Sequence, residues 1–150
     1  MNTPARAKSR SAARLAAVQA LYQRQMEATP LAKLLDEFHQ HRLGREIEDV
    51  HYADAEVDFF DDVVSGTIAR EDEIDALLRE RLTQGWSLER LDKTLLQILR
   101  AGAYELLARA DVPTGSAISE YVDVAHAFFD RREANFVNGL LDAVAKAVRS

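Results

Sequence analysis

Residues 88–107 read LERLDKTLLQILRAGAYELL, and the period of this stretch decides the fold. Leu88, Leu91, Leu95, Leu96, Ile98, Leu99, Leu106 and Leu107 recur at helical spacing and wrap most of a helix's circumference. A helix that is apolar nearly all round is a central one, buried by others. Gly102, between Ala101 and Ala103, would cost about 1 kcal/mol relative to alanine in an exposed helix, so the expected reason for it is the close approach of a second helix. Ser87 stands where an N-cap belongs, and Gln84, Gly85 and Trp86 form the junction before it.

Working outward, only helical periods appear. After the central stretch, Asp111, Val112, Pro113, Thr114 and Gly115 make a turn. A helix carrying Ile118, Val122, Ala125 and Phe129 follows. Asp130, Arg131 and Arg132 lead into a last helix with Phe136, Leu140, Leu141, Val144 and Val148 on one side. Upstream, a first helix is expected from about Ser9 or Ser11 to about Ala28, its apolar side built from Leu15, Val18, Leu21, Tyr22 and Met26. Thr29 is placed to cap a second helix, with Pro30 at its first position and its end near Leu43 and Gly44. Residues 45 to about 53 read as an acidic loop. A third helical stretch begins near Asp54, and its register slips at Glu71, Asp72 and Glu73, which implies a bend or two abutting helices. With no competing strand pattern the expected class is all-α with short connections. The junction at 84–86 divides the chain into expected lobes of about 1–83 and 84–150.

Charge is unevenly placed. The chain of 150 residues carries 19 bases and 25 acids, a formal −6, yet residues 1–26 hold Arg6, Lys8, Arg10, Arg14 and Arg24 and no acid. Such asymmetry points to an anionic partner at one end, nucleic acid or membrane. Arg6, Arg10 and Arg14 are four apart, so on a helix they form a slowly drifting stripe that continues through Val18 to Tyr22. A basic stripe ending in a ring suits a phosphate backbone with one stacked base. The same acid-free, Arg-, Ala- and Ser-rich composition also occurs in mitochondrial transit peptides, but Ala16, Ala17, Val18, Leu21 and Tyr22 merge with the domain rather than with a linker.

Other chemistries find little support. No apolar run approaches the roughly 20 residues of a membrane span, and the absence of cysteine excludes disulfides, a thiol nucleophile and thiolate metal sites. That absence agrees with a cytoplasmic home. The histidines are His39, His41, His51 and His126; residues two apart on a helix lie roughly 200° apart, so His39 and His41 cannot grip one metal there. No glycine-rich phosphate loop, nucleophile elbow or zinc-protease motif is present. Twelve acids lie between Glu46 and Asp75 against Arg70 alone, without the alternation of a calcium loop, and read as a solvated face. No catalytic, metal or cofactor site is expected, and Glu105 with Arg109 reads as a surface ion pair on one helix.

Four segments in order resemble the NusB family of bacterial transcription antitermination factors. They are RSAARLAAVQALYQ at 10–23; Ile98-Leu-Arg100 with Tyr104-Glu-Leu106; Asp111-Val-Pro113 with Ala117-Ile118 and Glu120; and Phe136-Val-Asn138-Gly139-Leu-Leu-Asp142. Residues 27–86 match in length and helical character more than in identity.

The resemblance implies a bundle of about seven helices in two lobes and a non-enzymatic, RNA-binding role. NusB-like proteins pair with the ribosomal protein NusE, bind the single-stranded boxA element of ribosomal RNA operons, and help RNA polymerase resist termination; self-association of the free protein is a further expectation. Residue by residue, Arg10, Arg14 and Tyr22 fall on the RNA-facing first helix, to which Arg6 and Lys8 add charge. Asn135 and Phe136 fall at the start of the last helix, with Arg132 just ahead. Tyr22, Leu95 and Phe136 are the expected partner contacts, and Arg100, Tyr104, Glu105 and Asn138 are taken as structural. Three departures bear on these surfaces: Leu95 and Leu96 replace a charged pair, His126 a lysine and Phe129 a glycine. The alternatives are an accessory helical module that positions ribosomal RNA for a methyltransferase, and a protein–protein scaffold.

Overall fold

The computed structural model describes the backbone of residues 3–40 and 54–149, and side chains from 9 and from 56 onward within those spans. Among the described residues the chain forms seven α-helices and one 3₁₀ turn: α1 (Thr3–Glu27), α2 (Leu31–Phe38), α3 (Asp54–Ala69), α4 (Glu71–Arg81), the turn Leu88–Arg90, α5 (Lys93–Ala108), α6 (Thr114–Phe128) and α7 (Arg131–Val148). The register slip at 71–73 is a true break, because Arg70 leaves helical geometry at φ −110°, ψ 21°. The expected loop at 45–53 and the expected end of the second helix near Gly44 lie outside the described residues.

The chain divides into two compact units, Met1–Gly66 and Thr67–Ser150, so the junction at 84–86 falls inside the second. Within this unit an ion pair ties α4 to α5. Arg100 Nε and Nη2 each bond Asp75 at 2.9 Å, and Glu71 stands 3.3 Å from Nη2. A fork geometry of this kind between nearly buried groups fixes two helices more firmly than a surface pair does.

In the second unit α5 is the centre. Leu95, Leu96, Gln97, Ile98, Leu99, Ala101, Gly102, Ala103, Tyr104, Glu105 and Leu106 are all buried. Leu95 and Leu96 pack inward rather than widening an exposed face. Gly102 is the point of closest approach, since a Cβ there would stand 2.7 Å from Leu141 Cδ1 of α7 and 3.3 Å from Tyr121 Cδ2 of α6. Glu105 corrects the surface-pair expectation. It is fully buried and accepts a hydrogen bond from the Tyr121 hydroxyl, while Arg109 turns to Asp111 at 3.0 Å. Burial of a carboxylate demands a donor close by.

Caps account for the remaining differences. Ser87 makes no capping bond; the chain takes one 3₁₀ turn and α5 starts later, where Asp92 Oδ1 accepts from the amides of Thr94 (2.8 Å) and Leu95 (3.2 Å). Pro30 sits at the N-cap of α2, one position earlier than expected, with extended ψ 147° and no side-chain cap. α1 begins six or more residues ahead of its expected start, as its alanine-rich composition favours.

Two predictions follow from the helix ends. Arg149, just past α7, donates to the carbonyls of Leu106 (2.8 Å), Val112 (2.6 Å), Glu105 (3.0 Å) and Arg109 (2.7 Å) and to Thr114 Oγ1 (3.1 Å). It thereby gathers the carbonyls around the end of α5 under one cation and pins the turn into α6. Arg149→Ala should cost about 2–3 kcal/mol in denaturant unfolding, and Arg149→Lys should recover little because an ammonium cannot fork. Ala28 terminates α1 at φ +55°, its amide bonding Arg24 O at 2.8 Å. This is the left-handed position that glycine prefers, so Ala28→Gly should raise stability by about 0.5–1 kcal/mol in the same assay.

Candidate nucleic-acid interface

The first unit carries the expected arginine stripe on α1, and the stripe turns inward. The guanidinium groups of Arg10 and Arg14 lie 4.6 and 4.9 Å from the centre of the Phe59 ring of α3. Arg14 is only 4% exposed and Val18 is wholly buried. Each step of four residues rotates the line by about 40°, so a line centred on the core at Arg14 and Val18 must emerge again. It does so at Tyr22, which is 39% exposed, with Met26 beyond it at 50%. The expectation of three equivalent phosphate-facing arginines is thus corrected: Arg14 is a packing residue whose charge is held against an aromatic face. Arg10 is half-buried. Arg6 and Lys8 fall within α1, but their side chains lie outside the described residues.

Neighbouring polar groups in this unit are engaged with one another. His39 Nε2 is 2.6 Å from Asp61 Oδ1, and Gln23 Nε2 donates to Glu37 Oε2 at 2.9 Å. His41 and His51 lie outside the described residues. Among the described residues no group of three His, Asp or Glu side chains is arranged to hold a metal ion.

The second unit carries the expected residues of α7. Arg132 and Asn135 are exposed on its first turns, and Phe136, one turn beyond Arg132 on the same face, is half-buried. Phe136 forms one wall of a cleft of about 390 Å³ lined also by Trp86, Arg90, Leu91, Asp92, Leu95, Phe129, Arg132 and Glu133. The chain reaches this geometry locally. Gly85 takes φ +96°, a conformation that suits glycine, and the Trp86 amide closes the turn on Thr83 O at 3.0 Å. The indole is thereby left 55% exposed, its ring 6.4 Å from that of Phe136. The 3₁₀ turn then sets Leu91 and Leu95 as the floor, so Leu95 reaches the cleft while 7% exposed.

Charge at the cleft is mixed, with free cations at its rim. Arg131 and Arg132 are exposed and make no hydrogen bond or ion pair among the described residues. Arg90 makes a single long bond, 3.4 Å to Gly85 O. The adjacent Glu89 is neutralised by Arg79 at 2.8 Å, and that hydrogen bond holds its carboxyl below the ordinary value. Of the residues expected from the sequence, Arg132, Phe136 and Leu95 line this cleft and Asn135 does not; Trp86, Arg90 and Glu133 join it without having been singled out as site residues. A lone tryptophan between glycine and serine in a turn was the available signal, since a core position would not be expected there.

The comparisons agree with this architecture. A transcription antitermination protein NusB of Novosphingobium aromaticivorans is 75% identical over 95% of this chain and 96% of its own length. The solved NusB of T. maritima superposes with a TM-score of 0.78 at 28% identity, covering 97% of this chain and 93% of that one. The antitermination factors NusB and NusE, solved in complex with dsRNA, include a chain of the same fold with a TM-score of 0.78 at 24% identity, covering 93% of this chain and 98% of that one. With the NusB family model matching residues 11–146, seven helices in the expected order and near full-length identity to a NusB protein, this chain belongs to the NusB family.

Proposed function

We infer that this chain is a transcription antitermination factor that binds boxA-type RNA together with ribosomal protein NusE and joins the RNA polymerase antitermination complex in the cytoplasm. The observation that carries the RNA contact is the pair of exposed arginines at the head of α7, without an ion pair among the described residues, of which Arg132 borders the rings of Trp86, Phe129 and Phe136, in a chain of net charge −6. An acidic protein that keeps free cations next to open rings has placed them for an anion with stackable groups. The fold neighbour solved with NusE and dsRNA supports the same pairing. Among the described residues no helix is long and apolar enough to cross a membrane.

On α1 the proposed contacts are Arg6, Lys8, Arg10 and the exposed ring of Tyr22; on α7 they are Arg132, Asn135 and Phe136. Tyr22, Leu95 and Phe136 are also the proposed contacts with NusE. Arg14 acts differently, by holding α1 to Phe59.

Titration with a boxA-type single strand at several salt concentrations tests this division. Arg132→Ala should lower affinity and reduce the slope of log affinity against log salt by about 0.7, the value for one lost phosphate contact on a single strand. Arg14→Ala should instead lower thermal stability by about 1–2 kcal/mol through loss of the cation–ring contact. An unchanged slope for Arg132→Ala would remove α7 from the RNA surface. A second measurement concerns cooperation. Net negative charge opposes RNA at long range, so NusE should strengthen RNA binding, and by linkage RNA must strengthen NusE binding by the same factor. Calorimetric titration of NusE with and without the RNA reads this directly, and equal affinities would sink the adaptor reading.

A further inference from the structure

Gly139 breaks a local rule for which Gly102 has an excuse. Both stand in the interior of a helix, where glycine is among the least favourable residues. At Gly102 a Cβ would strike Leu141, so the chain itself explains the glycine. At Gly139, on the exposed side of α7, a Cβ would meet nothing within 4 Å. Nothing in the fold requires the missing side chain there. Two further poor helix formers adjoin it: Asn138, and Asn135 one turn before both. Both are exposed, and neither side chain makes a hydrogen bond among the described residues. Exposed helix positions that touch nothing are ordinarily filled by strong helix formers. Three adjoining positions that break this rule with no gain inside the chain mark a contact made outside it.

We propose that this part of α7 seats one ribose of the bound RNA against the bare helix backbone at Gly139, with the side-chain amides of Asn135 and Asn138 as partners for 2′-hydroxyl groups. The proposal rests on the RNA-binding reading above. It adds Asn138 and Gly139, which are not among the contacts named there, and a means of telling RNA from DNA.

Three features choose the occupant. Between Arg131 and Asp142 no exposed residue of α7 carries an apolar side chain, so the patch lacks the anchor around which a protein interface is built. Arg131 and Arg132, one turn ahead of the asparagines, carry no ion pair among the described residues, while Asp142 beyond them is held by Lys146 at 3.1 Å. A polyanion that runs along the helix from the arginines therefore reaches the asparagines without meeting an exposed, unpaired acid. An amide both donates and accepts, as a 2′-hydroxyl does, whereas a phosphate oxygen only accepts. Asparagine suits the sugar as arginine suits the phosphate, and any side chain at position 139 would hold that sugar off the helix.

The experiment titrates the full-length protein, in the presence of NusE, with a boxA-type oligoribonucleotide and with a series in which one ribose at a time is 2′-deoxy. Anisotropy of a labelled RNA gives affinity, and thermal melting gives the stability of each variant. For wild-type protein, 2′-deoxy substitution at one or two adjacent positions should weaken binding about three- to tenfold, the scale of a lost hydrogen bond. Asn138→Ala should lose a similar factor on intact RNA and become indifferent to one of those substitutions. Gly139→Ala and Gly139→Gln should melt higher than wild type, since both residues favour a helix, yet bind RNA about tenfold more weakly, the longer side chain the more so. In all three variants the slope of log affinity against log salt should keep its wild-type value, because no phosphate contact is removed. Gly139→Gln binding RNA as wild type does, or melting lower than wild type, overturns the seat and leaves the arginine contacts standing. Wild-type indifference to 2′-deoxy substitution at every position does the same. Loss of NusE affinity in Gly139→Gln with RNA affinity intact in NusE-free titrations also overturns it, by making the patch a protein contact. Failure of wild-type protein to bind RNA overturns the broader reading, and the seat falls with it.

Discussion

The second unit depends on one missing side chain. At Gly102 the backbone of α5 admits Leu141 of α7 so closely that a Cβ would stand 2.7 Å from its Cδ1, and Tyr121 of α6 so closely that it would stand 3.3 Å from its Cδ2, so those side chains would have to shift. Protein interiors pack at crystal-like density and do not yield by half an ångström without cost, so the place where α6 and α7 meet α5 is set there. From that approach Tyr121 is delivered to Glu105, which gives a fully buried carboxylate its donor. Near the C-terminal end of α5, Arg149 adds second hydrogen bonds to the carbonyls of Glu105 and Arg109. Apolar burial and polar satisfaction are thus consequences of one steric permission.

The cleft is a product of how α5 begins, as the enclosure is of how it is surrounded. Had Ser87 capped a continuous helix, residues 88–92 would have wound on in α-helical register. Instead a 3₁₀ turn and an extended Leu91, at ψ 150°, precede the Asp92 cap. These irregular residues place Leu91, Asp92 and Leu95 at a floor rather than along a smooth helix surface. Trp86 is set at the wall by a turn that Gly85 makes possible, and Arg132, Glu133 and Phe136 arrive on α7. A cleft assembled in this way from a turn and two helix starts holds its side chains in place without enclosing them.

Much of this was legible in the sequence, and the exceptions share a cause. The all-round apolar period of 88–107 correctly announced a central helix, and Gly102 its close contact, because both follow from periodicity and size alone. The break near Arg70 was legible as a slip of register. Helix starts were less so: Ser87 and Asp92 are both good capping residues, and choosing between them required knowing that the 3₁₀ turn packs Leu88. Glu105 and Arg109 satisfied the spacing rule for a surface pair, but that rule cannot see that α6 covers Glu105 and that Asp111 competes for Arg109. In the arginine line of α1 it is Arg14 that turns inward, since spacing fixes relative direction on a helix and not which direction faces the core.

That last distinction bears on how an acidic chain can serve as an RNA-binding factor. Counting bases in residues 1–26 gives five cations, yet Arg14 is committed to Phe59 and Arg10 lies partly against the same ring. A charge packed on an aromatic face contributes to the field around it but cannot reach a phosphate without giving up that contact. Among the described residues, exposed arginines without an ion pair stand instead at the head of α7, where Arg132 borders rings and a count of charge along the sequence shows only two arginines followed by an acid. With a formal charge of −6 over the whole chain, long-range attraction cannot carry recognition. It must rest on short-range contacts, in which stacking and edge hydrogen bonds outweigh charge, and on a partner that supplies the missing positive surface.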